Sequence, residues 1–309
     1  MNEQRPRKVW RQVHGVLLLD KPDGMTSNTA LQKARRACSA AKAGHTGTLD
    51  PMATGLLPVL FGEATKFSHM LLDADKTYRA TLRLGSMTTT GDREGEVLSE
   101  QAVLCTEADV RTAAAGFLGE IDQVPPMYSA LKHEGRALYD YARQGIEIER
   151  KSRRVTILEL EVESVALPDV QIRVRCSKGT YIRTLAEDIG KALGCGAHLV
   201  ALRRIATGPL TLEHAISLAE LEALDEPMRE SRLLAPDSLL AHLPAVQLGG
   251  ELEQRFSHGN PVRMDQGTAP RGEVRVYGER FMGLGRIQDD DMLRAVRLVA
   301  WNDEQGSVA

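Results

Sequence analysis

The side chain best placed for chemistry in this chain is Asp50, an acid set among turn-forming residues. Residues 44–55 read GHTGTLDPMATG, and glycine, threonine, aspartate and proline recur there too often for the interior of a helix or strand. A carboxylate held in such a loop can act as a nucleophile or stabilise a developing positive charge. An Asp-Pro step is also a common turn former, so the loop alone leaves a purely structural role open.

Two further side chains have a type and a position suited to chemistry. Residues 76–84 alternate in polarity, which predicts a strand with Tyr78 on its buried face. A tyrosine there can be a core residue, and it can also stack on a base or move a proton. Arg183 falls in the first turn of a helix predicted from Tyr181 to Leu193, where an arginine is either solvated or paired with a carboxylate.

The sequence offers little for a metal or a nucleotide cofactor. It contains no HExxH motif, no Walker A loop and no GxGxxG motif. The cysteines at 38, 105, 176 and 195 are far apart and form no CxxC pair, so reduced thiols are expected rather than a disulfide framework or a zinc site. We therefore expect chemistry that needs no cofactor and no metal.

Several segments of the chain resemble the signature motifs of the TruB family of tRNA pseudouridine synthases. In order they are LLLDKPDGMTSN, GHTGTLDPMATGLLPV, KTYRATLRLG and RVRCSKGTYIRTLAEDIG, the last followed by LRRIATG. Order and spacing agree over roughly residues 15–208. The resemblance implies that the chain isomerises a uridine to pseudouridine in the T-loop of tRNA, at tRNA position 55, after flipping the target base out of its stack.

The resemblance also implies roles for individual residues. Asp50 would be the essential carboxylate, and three roles stay open for it at this point: a bond to C1′, addition to the base, or assistance to elimination. Tyr78 would stack on the uracil and serve in proton transfer, and Arg183 would pair with Asp50. Two other implied substrate-binding residues, Tyr181 and Leu202, would line the base pocket, and Lys21 would have a supporting electrostatic or packing role. His45, by its type and loop position a surface residue, would be a wedge that stacks in the place of the flipped nucleotides.

The elements that must position these residues predict an α+β fold. Strand candidates outnumber a simple βαβ alternation, so we expect a mixed, largely antiparallel sheet with flanking helices. The strand 56–61 contains Pro58, which places it at an edge or an end. A stretch punctuated by proline and glycine at 239–250 is the candidate linker. It separates a catalytic domain at 10–246 from a small β domain at 247–309, which the resemblance identifies as PUA-like.

Charge is distributed unevenly along the chain. Its net charge is −3, yet residues 1–46 carry nine basic against three acidic residues and residues 171–204 carry seven against two. From 213 onward the balance reverses, with ten basic against seventeen acidic residues. Such an asymmetry can orient a polyanion such as tRNA onto one part of the molecule, although solvated helix faces would explain it equally well.

The remaining expectations concern location, partners and alternative functions. The polar N-terminus shows no signal-peptide pattern and no apolar run is long enough to cross a bilayer, so we expect a cytoplasmic protein without membrane contact. The T-stem-loop of tRNA is the expected partner, with no obligatory protein partner and a monomeric state. Two other functions stay open at this point: a tRNA-folding chaperone with secondary catalysis, and an N-glycosidase that releases the base.

Overall fold

The computed structural model describes residues 9–265 and 270–301. In chain order, its α-helices are α1 (Ser27–Ala37), α2 (Ser68–Leu72), α3 (Glu107–Ala115), α4 (Leu138–Ala142), α5 (Ile182–Ala192), α6 (Leu218–Ala223), α7 (Glu226–Glu230) and α8 (Gly250–Ser257). Short 3₁₀ helices span Gly62–Phe67, Leu212–His214 and Pro236–Leu240. No helix within these residues combines the length and the apolar character that a membrane span requires.

The strands of the described residues are, in chain order, β1 (Gly15–Lys21), β2 (Ala43–His45), β3 (Thr54–Phe61), β4 (Lys76–Leu84), β5 (Ser86–Thr88), β6 (Val97–Glu100), β7 (Gly119–Gln123), β8 (Lys132–His133), β9 (Arg136–Ala137), β10 (Arg153–Ala166), β11 (Asp169–Cys176), β12 (Ala197–Thr207), β13 (Leu210–Thr211), β14 (Ile216–Ser217), β15 (Leu233–Leu234), β16 (Ala245–Gln247), β17 (Val262–Arg263), β18 (Gly272–Tyr277), β19 (Phe281–Ile287) and β20 (Met292–Leu298).

Most of these strands form one mixed sheet. Its order is β14-β1-β3-β12-β4-β11-β10-β7, and β2, β13 and β15 pair with β3, β12 and β1. The β1–β14 and β3–β12 pairs are parallel, whereas the other pairs of this sheet are antiparallel. The expected α+β class, with a mixed and largely antiparallel sheet flanked by helices, is confirmed.

The centre of the sheet follows from two periodic patterns in the sequence. In β4, Ala80, Leu82 and Leu84 are buried on the face that also carries Tyr78, as the alternation predicts. Helix α5 buries Ile182 and Leu185 together with further residues at helical spacing and packs against this part of the sheet. The start of α5 and the strand β4 therefore approach one another over a shared core.

Pro58 does not lie at an edge, which corrects the sequence-based prediction. Strand β3 is interior, because β1 pairs with one side of it and β12 and β2 pair with the other. Its pairing with β2 covers residues 59–61 and its pairing with β12 covers residues 54–55. Pro58 falls in the gap between these two partners, where its carbonyl accepts from the Thr46 amide at 3.3 Å. A proline is tolerated in this interior strand because no ladder bond is due from it there.

Two further local predictions differ from the structure. His45, expected in a loop, ends the short strand β2 opposite Val59. The charge-rich segment 132–154 is predicted to be a helix followed by the approach to a basic strand. Strand β10 does begin at Arg153, but in place of a long helix the segment forms the hairpin β8–β9 and the five-residue helix α4. Of α4 only Leu138 is buried, so the segment lacks the apolar stripe that would hold a longer helix against the core.

The C-terminal sheet has the order β16-β18-β19-β20-β17 and fits the expected PUA-like β domain. Strand β16, at Ala245–Gln247, lies across the boundary predicted at 246/247, and the linker proposed at 239–250 contains this strand and the end of the 3₁₀ helix Pro236–Leu240. The last part of the proposed domain, residues 302–309, lies outside the described residues. The sheet is joined to the larger one by a common core, in which Phe281 and Leu284 pack with Phe67 and Leu71. Two hydrogen bonds add to this junction, from the Lys66 ammonium to the Leu298 carbonyl at 2.9 Å and from the Ala300 amide to Glu63 at 2.7 Å.

Phe281→Ala should therefore destabilise the whole protein, and not only the C-terminal sheet. Phe281 is 5% exposed and its ring lies 5.7 Å from that of Phe67, the last residue of the 3₁₀ helix Gly62–Phe67. Truncating a buried phenylalanine costs about 3–5 kcal/mol of unfolding free energy, which urea denaturation would measure. Leu252→Ala, at a residue 41% exposed in α8, is the control and should change stability by about 0.5 kcal/mol or less. A Phe281 variant as stable as this control would contradict the shared core.

Candidate functional site

A cavity of about 250 Å³ lies where the Asp50 loop, β4, β12 and the start of α5 meet. Five of the seven residues singled out from the sequence line it: Asp50, Tyr78, Tyr181, Arg183 and Leu202. Because these side chains come from four separate segments of the chain, only the folded sheet brings them together. The other two, Lys21 and His45, do not line this cavity.

Asp50 and Arg183 form an ion pair at the wall of this cavity. The Nε atom of Arg183 lies 3.0 Å from Oδ2 of Asp50, and Nη2 donates to Oδ1 at 3.2 Å. Arg183 is 4% exposed, whereas the Asp50 side chain keeps 33% of its surface exposed. Arg183 also donates to the carbonyl oxygens of Thr90 at 2.8 Å and Tyr128 at 2.6 Å. The guanidinium is thus fixed from three sides and presents the carboxylate to the cavity.

The loop that carries Asp50 is held in place by α1. Ser27, the first residue of that helix, is 1% exposed, and its hydroxyl donates to the Leu49 carbonyl at 3.1 Å while accepting from the Leu49 amide at 2.8 Å. The helix begins there because Thr26 caps it, accepting from the Thr29 amide at 3.1 Å. The residue directly before Asp50 is therefore fixed to a rigid element.

Lys21 supports the same loop from the other side. Its ammonium is fully buried and donates to the carbonyl oxygens of Pro22 at 2.8 Å, Met25 at 2.5 Å and Pro51 at 3.1 Å. Burial lowers the pKa of Lys21 to about 8, against the opposing effect of carboxylates that include Asp50. With all three donors used by the backbone, Lys21 holds the residue that follows Asp50 and is not free to bind substrate.

Tyr78 projects from β4 into the cavity beside Arg204. Burial raises the pKa of the Tyr78 hydroxyl above its ordinary value, and the Arg204 guanidinium opposes that rise. The hydroxyl therefore stays protonated at neutral pH and can donate a hydrogen bond. Its ring, on the buried face of the strand, offers a flat apolar surface on which a base could stack.

Tyr181 and Leu202 complete the wall of the cavity. Tyr181 is the N-terminal capping residue of α5, and its amide donates to the Gln123 side chain at 3.0 Å. The guanidinium of Arg153 lies 5.0 Å from the centre of its ring. Leu202 is 7% exposed in β12. An aromatic and an aliphatic side chain thus line the cavity together with the charged pair.

His45 lies at the end of β2, away from the cavity lining. Burial, and secondly the charge of Arg204, lower the pKa of its imidazole, so it is neutral at physiological pH. Its Nδ1 atom is buried and has no hydrogen-bond partner among the described residues. Because the ring does not line the cavity, it is not placed to take a proton there, and stacking remains the role expected for it.

Two residues of the site were not singled out from the sequence. Asp92, in what was predicted only as a polar loop, is 3% exposed, and its Oδ2 lies 3.7 Å from Nη1 of Arg183. Arg204 is 1% exposed and lines the cavity beside Tyr78. Arg204 lies in LRRIATG, one of the segments that resemble the family, whereas Asp92 lies outside the segments quoted for that resemblance. Their burial, unusual for these residue types, was the missing signal, and single-sequence patterns do not show it.

Opposing effects act on the pKa of the Asp50 carboxyl group. Burial raises its pKa above the ordinary value for aspartate and the charge of Asp92 adds to this, while Arg183 and Lys21 oppose the rise. A catalytic anion must be deprotonated, so activity should fall as the pH drops through this raised pKa.

Asp92→Asn should shift that acid limb of the pH–rate profile to lower pH. The substitution removes a charge that raises the pKa of Asp50, and an asparagine oxygen can still accept from the Thr90 hydroxyl, now at 2.6 Å, and from the Glu94 amide, now at 3.0 Å. The pH dependence of kcat/KM would measure it, since this ratio reports ionisations of the free enzyme. Asp290→Asn, in the C-terminal sheet, is the matched control and should leave the limb in place. An acid limb at the same or a higher pH in Asp92→Asn would disprove the electrostatic coupling between Asp92 and Asp50.

Much of the basic charge counted along the sequence is engaged in hydrogen bonds and ion pairs within the protein. Arg35 donates to the carbonyls of Ala40 at 3.0 Å and Ala41 at 2.7 Å, and Arg203 donates to Asp20 at 2.6 Å. Lys178 pairs with Asp73 at 2.8 Å. The first eight residues of the basic N-terminal segment lie outside the described residues. Charge counts along the chain therefore overstate the basic surface available to a polyanion.

Comparisons with known proteins identify the family of this chain. The model of the N-terminal domain of TruB family pseudouridylate synthases matches residues 35–182, and the model of the tRNA pseudouridylate synthase B C-terminal domain matches residues 183–242. A third model, of the C-terminal part of pseudouridine synthase II TruB, matches residues 244–299.

Individual relatives extend over nearly the whole chain. The tRNA pseudouridine synthase B of Burkholderia mallei (strain ATCC 23344) is 57% identical over 302 residues, which is 96% of this chain and 97% of the relative. That of Chromobacterium violaceum is 56% identical over 299 residues, 96% of this chain and 98% of the relative. Among solved structures, a chain of a Cbf5-Nop10-Gar1 complex is similar with a TM-score of 0.67 and 27% identity, over 97% of this chain and 90% of that one.

Proposed function

This chain belongs to the TruB family of pseudouridylate synthases, and we propose that it isomerises the T-loop uridine at tRNA position 55 with Asp50 as its essential carboxylate. It is a tRNA pseudouridine synthase, an isomerase, as its relatives at 56–57% identity over nearly the full chain are. The observation that supports the finer proposal best is the ion pair of Asp50 and Arg183 at a cavity shared with Tyr78.

The proposed chemistry uses only side chains of the cavity. Breaking the N1–C1′ bond leaves positive charge on the sugar, and an ionised Asp50 supplies the opposing charge. Arg183, permanently charged, favours that ionised form and aims it. The uracil then rotates, C5 joins C1′, and the proton on C5 leaves. Tyr78 stacks on the base and its hydroxyl serves in proton transfer.

The position of the carboxylate supports the proposal of base flipping. Asp50 is recessed in a cavity whose walls include Tyr181 and Leu202, and a uridine stacked within a folded loop could not reach it. The target nucleotide must leave its stack and enter this cavity. His45, neutral and outside the cavity, is proposed to stack where the flipped nucleotides were.

RNA recognition is proposed to depend on shape and on unstacked loop bases, as is usual for structured RNA. The proposed partner is the T-stem-loop of tRNA, the proposed state is a monomer without an obligatory protein partner, and the tRNA substrate supports a cytoplasmic location. Residues 10–246 are proposed as the catalytic domain and 247–309 as the PUA-like domain. The acidic balance from residue 213 onward indicates that any RNA contact of the second domain is limited.

The test is an unmodified tRNA transcript carrying uridine tritiated at C5. Pseudouridine formation at position 55 must release this tritium to water, because C5 becomes the carbon joined to the sugar. A transcript with cytidine at that position should lose its release from the T-loop, while an isolated T-stem-loop should keep it.

Other products would identify other functions. Free uracil would indicate an N-glycosidase, and accelerated tRNA folding without tritium release would indicate a chaperone. Release that persists after position 55 is changed would place the modified uridine elsewhere.

A further inference from the structure

Arg204 is the largest side chain that this fold buries completely, at 1% exposure. No ion pair among residues 9–265 and 270–301 includes it. Its identified hydrogen bonds go to backbone carbonyls, from Nε to Leu56 at 2.7 Å and from Nη2 to Gly47 at 3.1 Å. A buried charge without a carboxylate is costly, so a role beyond packing is expected of it.

The contact with the Gly47 carbonyl connects Arg204 to the loop of Asp50, and the contact with Leu56 connects it to β3. Gly47 has a backbone φ of +90°, which favours glycine, and lies three residues before Asp50. A side-chain carbon at this position would come within 3.4 Å of Nη1 of Arg204. The guanidinium therefore lies directly against the turn that leads into the catalytic carboxylate.

On its other side Arg204 faces Tyr78. The two residues are directly opposite in the antiparallel pairing of β12 with β4, and both line the cavity. Opposite residues on one face of a sheet have Cβ atoms about 4.5–5.5 Å apart, within reach of these long side chains. The guanidinium also opposes the burial-driven rise of the Tyr78 pKa, as expected of a donor beside the phenol oxygen.

A guanidinium carries donors and no acceptor. Beside it, the Tyr78 oxygen can only accept, which leaves the hydroxyl proton to point elsewhere. We infer that Arg204 is a positioning residue, which holds the Gly47 turn and directs the Tyr78 hydroxyl proton toward the bound nucleotide. This inference rests on the proposed role of Tyr78 in the isomerisation.

A double-mutant cycle tests the inference with the parent, Arg204→Gln, Tyr78→Phe and the double variant. The measurements are single-turnover tritium release from C5-tritiated tRNA at saturating enzyme, tRNA affinity and thermal unfolding. Each single variant should slow the reaction at nearly unchanged affinity. The loss in the double variant should fall short of the product of the two single losses by about tenfold or more, because Arg204 acts through Tyr78.

The neighbouring Arg203→Gln is the matched control, because Arg203 pairs with Asp20 and should show no coupling to Tyr78. Should Arg204→Gln not fold, Arg204→Lys replaces it in the cycle, and its retained charge should restore part of the rate. Losses that simply multiply would overturn the inference and restrict Arg204 to supporting the loop and the fold. A Tyr78→Phe variant as fast as the parent would instead show that the proposed role of Tyr78 is wrong.

Discussion

Asp50→Asn is expected to abolish nearly all tritium release from the tRNA transcript. Asparagine keeps the size of the side chain and can still accept from Arg183, but it removes the negative charge that the sugar requires as its bond to N1 breaks. Loss of a residue that acts directly on the reacting atom slows other enzymes by about 10⁴-fold or more, and we expect a loss of that order. Single-turnover measurement at saturating enzyme separates this effect from binding.

The affinity of Asp50→Asn for tRNA should change far less. The walls of the cavity stay intact, because Tyr78 and Leu202 are held by their own strands. Asp73→Asn, an exposed residue paired with Lys178, is a control for removal of an aspartate and should retain the parental rate. An Asp50→Asn rate within tenfold of the parent would rule out the assignment of Asp50.

Tyr78→Phe is expected to lower the rate by about 10²- to 10⁴-fold, the range typical of a lost general acid or base. The change retains the ring that would stack on the uracil and removes only the hydroxyl. Since burial keeps this hydroxyl protonated at neutral pH, we expect it to donate a hydrogen bond or a proton to the substrate. Tritium release under single-turnover conditions measures the loss.

Binding of tRNA should survive the Tyr78→Phe change, because stacking does not need the hydroxyl. Tyr78→Ala, which removes the ring as well, should weaken binding in addition, and the comparison separates the two roles. Full activity of Tyr78→Phe would reduce Tyr78 to a stacking or packing residue.

The parts of the fold that could be predicted have strong local patterns. The alternation of 76–84 placed Tyr78 on the correct face of β4, and the helical period after Tyr181 gave α5 to within a residue at each end. The prediction of a helix within residues 132–154 was largely wrong, because a charge-rich sequence is compatible with a helix but does not require one. The prediction that Pro58 lies at an edge was wrong for a different reason. The gap between β2 and β12 that accommodates this proline exists only in the assembled sheet.

The residues of the site likewise fall into those that the sequence could predict and those that it could not. Asp50, Tyr78 and Arg183 could be found because they stand in recognisable motifs, and the structure brings them to one cavity. Asp92 and Arg204 could not be found in this way, because each matters through its burial beside a residue distant in the chain. Arg35 shows the opposite error, because a basic residue that looks available to RNA is occupied by the carbonyls of Ala40 and Ala41.

The core shared by the two sheets limits how freely this chain can be recombined. Deleting residues 247–309 would uncover Phe67 and Leu71, and Leu71 also supplies a carbonyl oxygen, at 3.1 Å, to the buried ammonium of Lys76 in the cavity wall. The C-terminal sheet is thus a structural support for the catalytic one and not a transplantable module. A chimaera that takes this sheet from a relative should work only if the surface around residues 62–72 is exchanged with it.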